Sequence, residues 1–203
     1  MHGLISIFKQ NNIHAVLVDG KEGALKQVLE IVTLHSSIAF AGSQTIKDIG
    51  ARDYFLENKD KYVIIDPYEK GISREEAYER RRQALLADVL LTGSNAITED
   101  GKIVNLDNQG NRVAGISFGP WRVIIVVGIN KIVKNLSEAR RRIAQVAAPL
   151  NSRRLKKGNP CEVSGSCENC GLSTRICRKY SVIDGETEKG RIHIIIVDEE
   201  LGF

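Results

Sequence analysis

The stretch RVIIVVG, residues 122–128, is apolar at every position from Val123 to Val127. A strand with apolar side chains on both of its sides has no face that can meet water. Such strands are typical of a parallel sheet covered by helices on both faces, and valine and isoleucine favour extended backbone. This stretch therefore predicts the centre of an α/β fold.

Short apolar runs and helical segments alternate on either side of this strand. The other predicted strands are residues 14–19, 36–42, 61–66, 88–93, 101–106 and 191–199. Apolar residues at helical spacing, or a capping pattern such as Ser73 followed by Glu76, predict helices over residues 21–35, from Ser43 onward, over 73–87 and over 137–148. The alternation predicts the α/β class, with a mainly parallel sheet and helices on both faces.

The length and the charge narrow the possible classes of protein. A chain of 203 residues has the size of one domain, and we expect residues 1–203 to form it. The formal net charge is only +4, and aromatic residues make up 5% of the chain. The basic clusters at residues 80–82, 140–142 and 153–154 with Lys156-Lys157 are therefore predicted to be solvated helix faces, and we expect no nucleic-acid partner.

The apolar runs also bear on localisation. None approaches the roughly 20 residues that a membrane span needs. The first residues show neither a basic leader with a long apolar stretch nor a small-residue cleavage site. We expect a cytoplasmic protein without a membrane span.

Two polar loops follow predicted strands, at the edge where open α/β sheets bind ligands. The first contains Gly42, Ser43 and Thr45, and the second begins with Gly93-Ser94-Asn95 and continues through the turns at Asp100-Gly101 and 108–111. Glycine permits a close backbone approach, and hydroxyl and amide groups can hold a polar ligand. A plainer interpretation is that Ser43 and Ser94 cap helices and that Asp100-Gly101 is a hairpin turn. The loops contain no Walker or dinucleotide motif, so no catalytic residue is assigned.

All four cysteines of the chain lie in one loop, CEVSGSCENCGLSTRIC, residues 161–177. The loop belongs to residues 149–190, which are predicted to be an irregular insertion before the last strand. Reduced thiols clustered in a cytoplasmic protein are typical of a metal site, with Cys161, Cys167, Cys170 and Cys177 as ligands. The spacing C-x5-C-x2-C-x6-C has only one tight pair, which favours a [4Fe–4S] cluster held from four sides. A zinc ion is the alternative, and disulfides or free thiols also stay open.

Several segments together resemble a known family. AFAGSQTIKDIG (39–50), the long stretch from GSNAITEDGKIVN (93–105) through GINKIV (128–133), PLNSRRL (149–155) and GRIHIIIVDEELGF (190–203) are similar to the LUD domain family of lactate-utilisation proteins. The resemblance implies a fold like that of the glucosamine-phosphate isomerase, ribose-phosphate isomerase and CoA-transferase group. In that group the corresponding loop binds a sugar phosphate or an acyl-CoA. By this likeness the pocket would be lined by Ser43, Thr45, Ser94, Asn95, Asp107, Asn111 and Arg112.

The resemblance also implies a function. The family's best-known context is a multi-component system that oxidises lactate with iron–sulfur and LUD-domain subunits. We therefore expect a redox accessory protein that carries an iron–sulfur cluster for electron transfer and binds a small anionic organic acid, with an iron–sulfur or other redox subunit as partner. The alternative is an enzyme or sensor for a phosphorylated or CoA-linked metabolite, with a structural zinc in the cysteine loop.

Overall fold

The computed structural model describes residues 1–171 and 173–203. Its centre is a six-stranded sheet in the order β1-β10-β7-β4-β2-β3, and all of its neighbouring strands are parallel. The strands of this sheet are β1 (His14–Val18), β2 (Ser37–Phe40), β3 (Val63–Ile65), β4 (Val89–Gly93), β7 (Arg122–Gly128) and β10 (Ile192–Val197). The predicted α/β fold with a parallel sheet is confirmed.

The two faces of the central strands belong to two different cores. Val123, Ile125 and Val127 of β7 are buried on one side, while Ile124 and Val126 are buried on the other. The first core is closed by α1 (His2–Gln10), α6 (Asn111–Ser117) and part of a second sheet, and the other core by α2 (Gly20–Ile31), α3 (Gln44–Asp48) and α4 (Ala51–Glu57). This double burial is the physical reason for the uninterrupted apolar run in residues 123–127.

A second, four-stranded sheet has the order β8-β5-β6-β9. It is formed by β5 (Ala96–Thr98), β6 (Ile103–Asp107), β8 (Ile132–Val133) and β9 (Lys179–Ile183). The strand predicted over 101–106 therefore lies outside the central sheet. The β5 and β6 strands are antiparallel, and Gly101 in the turn between them has a φ of +85°. The hairpin predicted at Asp100-Gly101 is thus present.

The helices α1 and α6 were not predicted from the sequence, and the predicted helices differ mainly at their ends. Ser73 caps α5 (Arg74–Gln83) by accepting a hydrogen bond from the Glu76 amide at 3.1 Å, as predicted. In the next long helical segment, predicted to begin at residue 137, the cap is Asn135, since its side chain accepts from the Glu138 amide at 3.1 Å. That segment continues through α7 (Leu136–Arg142), a π-helical turn (Ile143–Ala147) and α8 (Ala148–Arg154).

The segment 149–190, predicted to be one irregular insertion, contains regular structure. It includes most of α8, the short helix α9 (Cys161–Ser164) and β9. The β9 strand pairs antiparallel with β6, from Asp107 opposite Lys179 to Ile103 opposite Ile183. This pairing fixes the cysteine loop, which precedes β9, beside the carboxyl end of β6. None of the helices in the described part of the chain has the length and apolar character that a membrane span requires.

Candidate functional site

A cleft of about 330 Å³ lies beyond the carboxyl ends of the central strands. Its walls come from the loops after β2, β4 and β6, from the turn after β7, and from the helical segment that ends in α8. Tyr68 after β3, Arg81 of α5, residues 176–177 of the cysteine loop and Phe203 complete it. The cleft thus occupies the position at which open parallel sheets bind their ligands.

The structure brings almost all the residues predicted for the pocket to this cleft. The lining includes Gly42, Ser43, Gly93, Ser94, Asn95, Asp107, Asn111 and Arg112. Thr45 lies behind the wall, where its buried hydroxyl accepts a hydrogen bond from Lys131 Nζ at 2.7 Å. That these residues bind a ligand stays a prediction.

The two predicted serines are both engaged within the protein. Ser43 caps α3, because its Oγ accepts a hydrogen bond from the Ile46 amide at 3.3 Å. Ser94 is buried and does not cap a helix. Its hydroxyl lies 2.9 Å from the Ala96 carbonyl and 3.2 Å from Asn105 Oδ1. Both side chains therefore shape the cleft, and the hydroxyl proton of Ser94 is shared among acceptors of the protein itself.

Arg112, predicted to line the pocket, is held by a carboxylate. Its Nε and Nη2 donate to Asp107 Oδ1 at 2.8 and 2.6 Å, and Nη2 also donates to Asn95 Oδ1 at 2.7 Å. Asp107 Oδ2 in turn accepts from the Val113 amide at 3.1 Å. Three side chains of the second predicted polar stretch thus form one network, which fixes that stretch around the cleft. The Arg112 charge is balanced by Asp107 and is not the main attraction for an anion.

The free positive charge of the cleft comes from residues of the basic clusters that were predicted to lie on solvated helix faces. Arg81, Arg154 and Lys157 line the cleft, and in the described part of the chain none of them forms an ion pair. The Arg81 guanidinium lies over the Tyr68 ring, 5.5 Å from its centroid. The only side-chain carboxylate among the described lining residues is that of Asp107, which already pairs with Arg112. The cleft is therefore suited to a small anion.

Arg154 contributes a partly desolvated charge to this wall. Its Nη2 donates to Asn151 Oδ1 at 2.8 Å, and its guanidinium lies 6.0 Å from the centroid of the Phe203 ring. Burial lowers the pKa of Arg154, although an arginine stays charged at neutral pH. A cation in such surroundings attracts an anion more strongly than one surrounded by water.

Lys131 is the most unusual titratable group of the cleft. It lies in the turn after β7 and is only 3% exposed. Burial lowers its pKa to about 7, and the nearby charges of Arg142 and Arg112 act in the same direction. Asp48 opposes the shift more weakly. A large fraction of this lysine is therefore a neutral amine at physiological pH.

The cysteine loop is tied to the wall of the cleft by backbone hydrogen bonds. The Cys167 amide donates to the Ala144 carbonyl of the π-helical turn at 2.9 Å. Arg175 donates from Nε to the Cys177 carbonyl at 2.8 Å and from Nη1 to the Cys170 carbonyl at 3.1 Å. These bonds hold the two ends of residues 170–177 close to each other. Cys177 lies in the wall of the cleft.

The four thiols are near enough to affect one another. The pKa of Cys177 is raised to about 11 by burial and then by Cys167 and Cys161, while Arg175 lowers it and Cys170 raises it least. The pKa of Cys161 is raised by burial, with smaller effects from Cys170 and Cys167. Neutral thiols in such a group become thiolates when a metal cation is supplied.

The four cysteines are suitable ligands for a metal bound through thiolates, and they lie in one loop beside the cleft. In the structure, however, their sulfur atoms are not arranged for coordination. Within residues 1–171 and 173–203, no three His, Cys, Asp or Glu side chains are close enough together to hold a metal ion. Cys161 is buried, Cys167 is exposed, and Cys170 and Cys177 are partly buried. Binding a metal would therefore require the sulfurs to draw together, as is common where a site forms only with its metal.

Comparisons with known proteins identify the chain at the level of its family. No curated protein matches it. A solved structure of a DUF162 family protein from Deinococcus radiodurans is similar, with a TM-score of 0.52 and 18% sequence identity over 97% of this chain and 94% of that one. At this identity the likeness shows the fold alone. The LUD domain family matches residues 2–197. The chain therefore belongs to the LUD domain family.

Proposed function

We propose that this protein is a redox accessory protein of the lactate-utilisation type, which binds a small organic acid in the cleft and a [4Fe–4S] cluster in the cysteine loop. One observation carries the proposal: Cys177 lines the same cleft as the unpaired cations Arg81, Arg154 and Lys157. A metal centre at the loop and an anion in the cleft would be neighbours. An iron–sulfur or other redox subunit would be the electron partner.

The anion part of the proposal rests on charge. Three cations that form no ion pair within the described residues line the cleft, and the one side-chain carboxylate of the described lining is neutralised by Arg112. An anion that pairs with these groups gains charge-assisted hydrogen bonds, and the aromatic ring of Tyr68 already positions the Arg81 guanidinium. A cleft of about 330 Å³ suits a small metabolite.

The cluster part rests on the chemistry of the donors. Cys161, Cys167, Cys170 and Cys177 would hold the group, and when bound it would supply one-electron transfer. Arg175 bonds to the carbonyls of Cys170 and Cys177, so it would keep the two halves of the loop in place. Four thiolate ligands would leave no iron open to substrate. The organic acid would then interact with the cleft and not with the metal.

A matched pair of arginine variants tests the anion site. Arg81 lines the cleft, whereas Arg82 on the same helix is 68% exposed and pairs with Glu79 at 2.7 Å. We expect Arg81→Gln to weaken binding of lactate or pyruvate about tenfold in isothermal titration calorimetry, since a charge-assisted hydrogen bond is lost. Arg82→Gln should leave the affinity unchanged. Equal affinities of both variants and the unmodified protein would remove the cleft from the proposal.

The alternative function is an enzyme or sensor for a phosphorylated or CoA-linked metabolite, with a structural zinc in the loop. The same three cations favour it, because Arg and Lys bind phosphate as readily as carboxylate. Calorimetry with a sugar phosphate or a CoA thioester separates the two functions. Tighter binding of these than of lactate or pyruvate, together with zinc in the purified protein, would favour the alternative.

A further inference from the structure

Lys131 is a buried amine without a carboxylate partner. It lines the cleft, and its Nζ donates to Thr45 Oγ1 at 2.7 Å. No ion pair to Lys131 occurs within the described contacts. A lysine that only fills space is normally placed with its charged end in water. Lys131 is only 3% exposed, and its burial therefore indicates a role other than filling space.

The groups around Lys131 favour its neutral form. Arg142 on α7 and Arg112 on α6 are the cations that act on it, and Asp48 on α3 is the one carboxylate that does so. Asp48 is already occupied, because its Oδ1 accepts from Gln44 Nε2 at 2.7 Å and its Oδ2 from the Gly202 amide at 3.0 Å. Arg142 donates to the carbonyls of Asn130 and Asn95 at 2.9 and 2.6 Å, so its charge is fixed in position. A neutral amine is a nucleophile, whereas an ammonium is not.

We propose that Lys131 is a nucleophile that forms an imine with a small anionic carbonyl compound bound in the cleft. This proposal rests on the anion cleft of the proposed function and assigns its ligand to a chemical class. The anion is held by Arg81, Arg154 and Lys157, while the carbonyl group lies against Lys131. Thr45 is a positioning residue, since its hydroxyl holds the amine nitrogen in place.

The reaction is a condensation without a change of oxidation state. The nitrogen lone pair of Lys131 attacks the carbonyl carbon, and the carbon–oxygen π electrons move to the oxygen. The two protons of the amine leave with that oxygen as one molecule of water, and a carbon–nitrogen double bond is formed. The product is an imine, which becomes electron-withdrawing when its nitrogen takes a proton from water and then activates the adjacent carbon for proton removal.

Reductive trapping on the unmodified protein tests the proposal. The protein is incubated with pyruvate or with dihydroxyacetone phosphate, which distinguishes a carboxylate from a phosphate as the anion, and then reduced with sodium cyanoborohydride. Intact-mass and peptide mass spectrometry then locate the stable secondary amine. We expect one adduct per chain, on Lys131, that is suppressed by the same anion without a carbonyl group, lactate or glycerol 3-phosphate. An adduct spread over exposed lysines such as Lys134 would overturn the proposal.

Two variants and a binding measurement complete the test. In Lys131→Met the adduct should disappear, and in Lys134→Met it should persist at the unmodified level. If Lys131→Met does not fold, the peptide map of the unmodified chain decides by itself. Calorimetry with the same probes separates this proposal from the proposed function. Binding of a probe without an adduct on Lys131 overturns the imine proposal alone. If neither probe binds, the imine proposal and the proposed function are both overturned.

Discussion

At the scale of single residues, the charged side chains are the part of the cleft that differs most from the sequence predictions. The predicted polar residues Ser43, Ser94 and Arg112 do lie at the cleft, but hydrogen bonds within the protein engage their side chains. The unpaired cations Arg81 and Arg154 belong to arginine runs that look like solvated faces in the sequence. Which arginine of a run points inward depends on how its helix is rotated against the sheet, and weak periodicity in a charged helix does not reveal this rotation.

The buried charge of Lys131 leads to a prediction about stability and pH. In the folded protein its pKa is lowered from 10.5 to about 7. Between these two values the unfolded chain holds a proton that the folded chain lacks, so the free energy of unfolding rises with pH through this window. Below pH 7 the folded state carries the full cost of the buried charge.

Chemical denaturation of the Lys131→Met variant at several pH values tests this dependence of the free energy of unfolding on pH. We expect the variant to be more stable than the unmodified protein near pH 6, on the order of a few kcal/mol. The difference should shrink steadily toward pH 10. Lys134→Met is the control, because Lys134 is exposed. A pH-independent difference for Lys131→Met would contradict the burial of a charge.

Gly128 at the end of β7 supports a second prediction at this scale. A Cβ atom there would lie 2.5 Å from the Glu199 carbonyl oxygen and 2.5 Å from the Leu201 nitrogen, both of them backbone atoms. We expect Gly128→Ala to lower the free energy of unfolding by about 3 kcal/mol or more, since the backbone cannot yield cheaply. Gly3→Ala in α1 is the control. With nothing within 4 Å of its Cβ, it should be neutral or stabilising. A stable Gly128→Ala variant would mean that residues 199–201 do not lie against β7.

At the scale of elements, the sequence predicted the central sheet well and the smaller sheet poorly. Strands such as residues 122–128 are apolar on both sides, and this pattern is typical of strands buried between two layers of helices. β9 has the sequence KYSVI and is largely exposed, so its pairing with β6 is determined by tertiary contacts and not by its composition. The turn residues Asp100-Gly101 did predict the hairpin between β5 and β6.

The segment from α7 to α8 connects the cleft to the cysteine loop. Its π-helical turn interrupts the regular helix at residues 143–147, and such turns often occur at functional sites. From this segment Arg142 and Arg154 reach the surroundings of the cleft, and Ala144 holds Cys167. The sequence pattern did not indicate this continuation, because Pro149 is a typical sign of a helix end. In the structure this proline lies in the first turn of α8, where its missing amide is tolerated.

Arg175 is expected to hold the cysteine loop as one unit. Arg175→Ala removes the hydrogen bonds to the carbonyls of Cys170 and Cys177. We expect faster amide hydrogen exchange in residues 167–177 and about tenfold lower metal affinity in a chelator competition, because loop order must then be gained on binding. Lys189→Ala, an exposed change outside the loop, should alter neither quantity. Unchanged exchange in Arg175→Ala would show that other contacts order the loop.

At the scale of the whole molecule, the fold places the cleft with its cations and the cysteine loop at one edge of the sheet. The parallel strands direct their following loops to the cleft, and the β6–β9 pairing returns the cysteine loop to the same edge. The sequence predicted the two groups separately, as polar loops and as a cysteine cluster. Their common location depends on β9, the strand that the sequence did not reveal.

This common location predicts that the anion and the metal affect each other. With Cys177 in the wall of the cleft, a metal-loaded loop should order that wall. We expect the affinity for pyruvate to fall by about threefold to tenfold after the metal is removed, a coupling of roughly 1 kcal/mol. Calorimetry on loaded and metal-free protein measures it. Equal affinities in protein that remains folded would mean that the loop and the cleft act independently.

The proposed function depends most on an iron–sulfur cluster in the cysteine loop, beside the cleft. Its most direct test is the quantification of iron, acid-labile sulfide and zinc in protein purified without oxygen, together with the visible spectrum. We expect about four iron atoms and about four sulfides per chain, with a brown colour that bleaches on reduction. One zinc ion per chain and no iron would contradict the cluster, and would make the loop a structural site beside an anion-binding cleft.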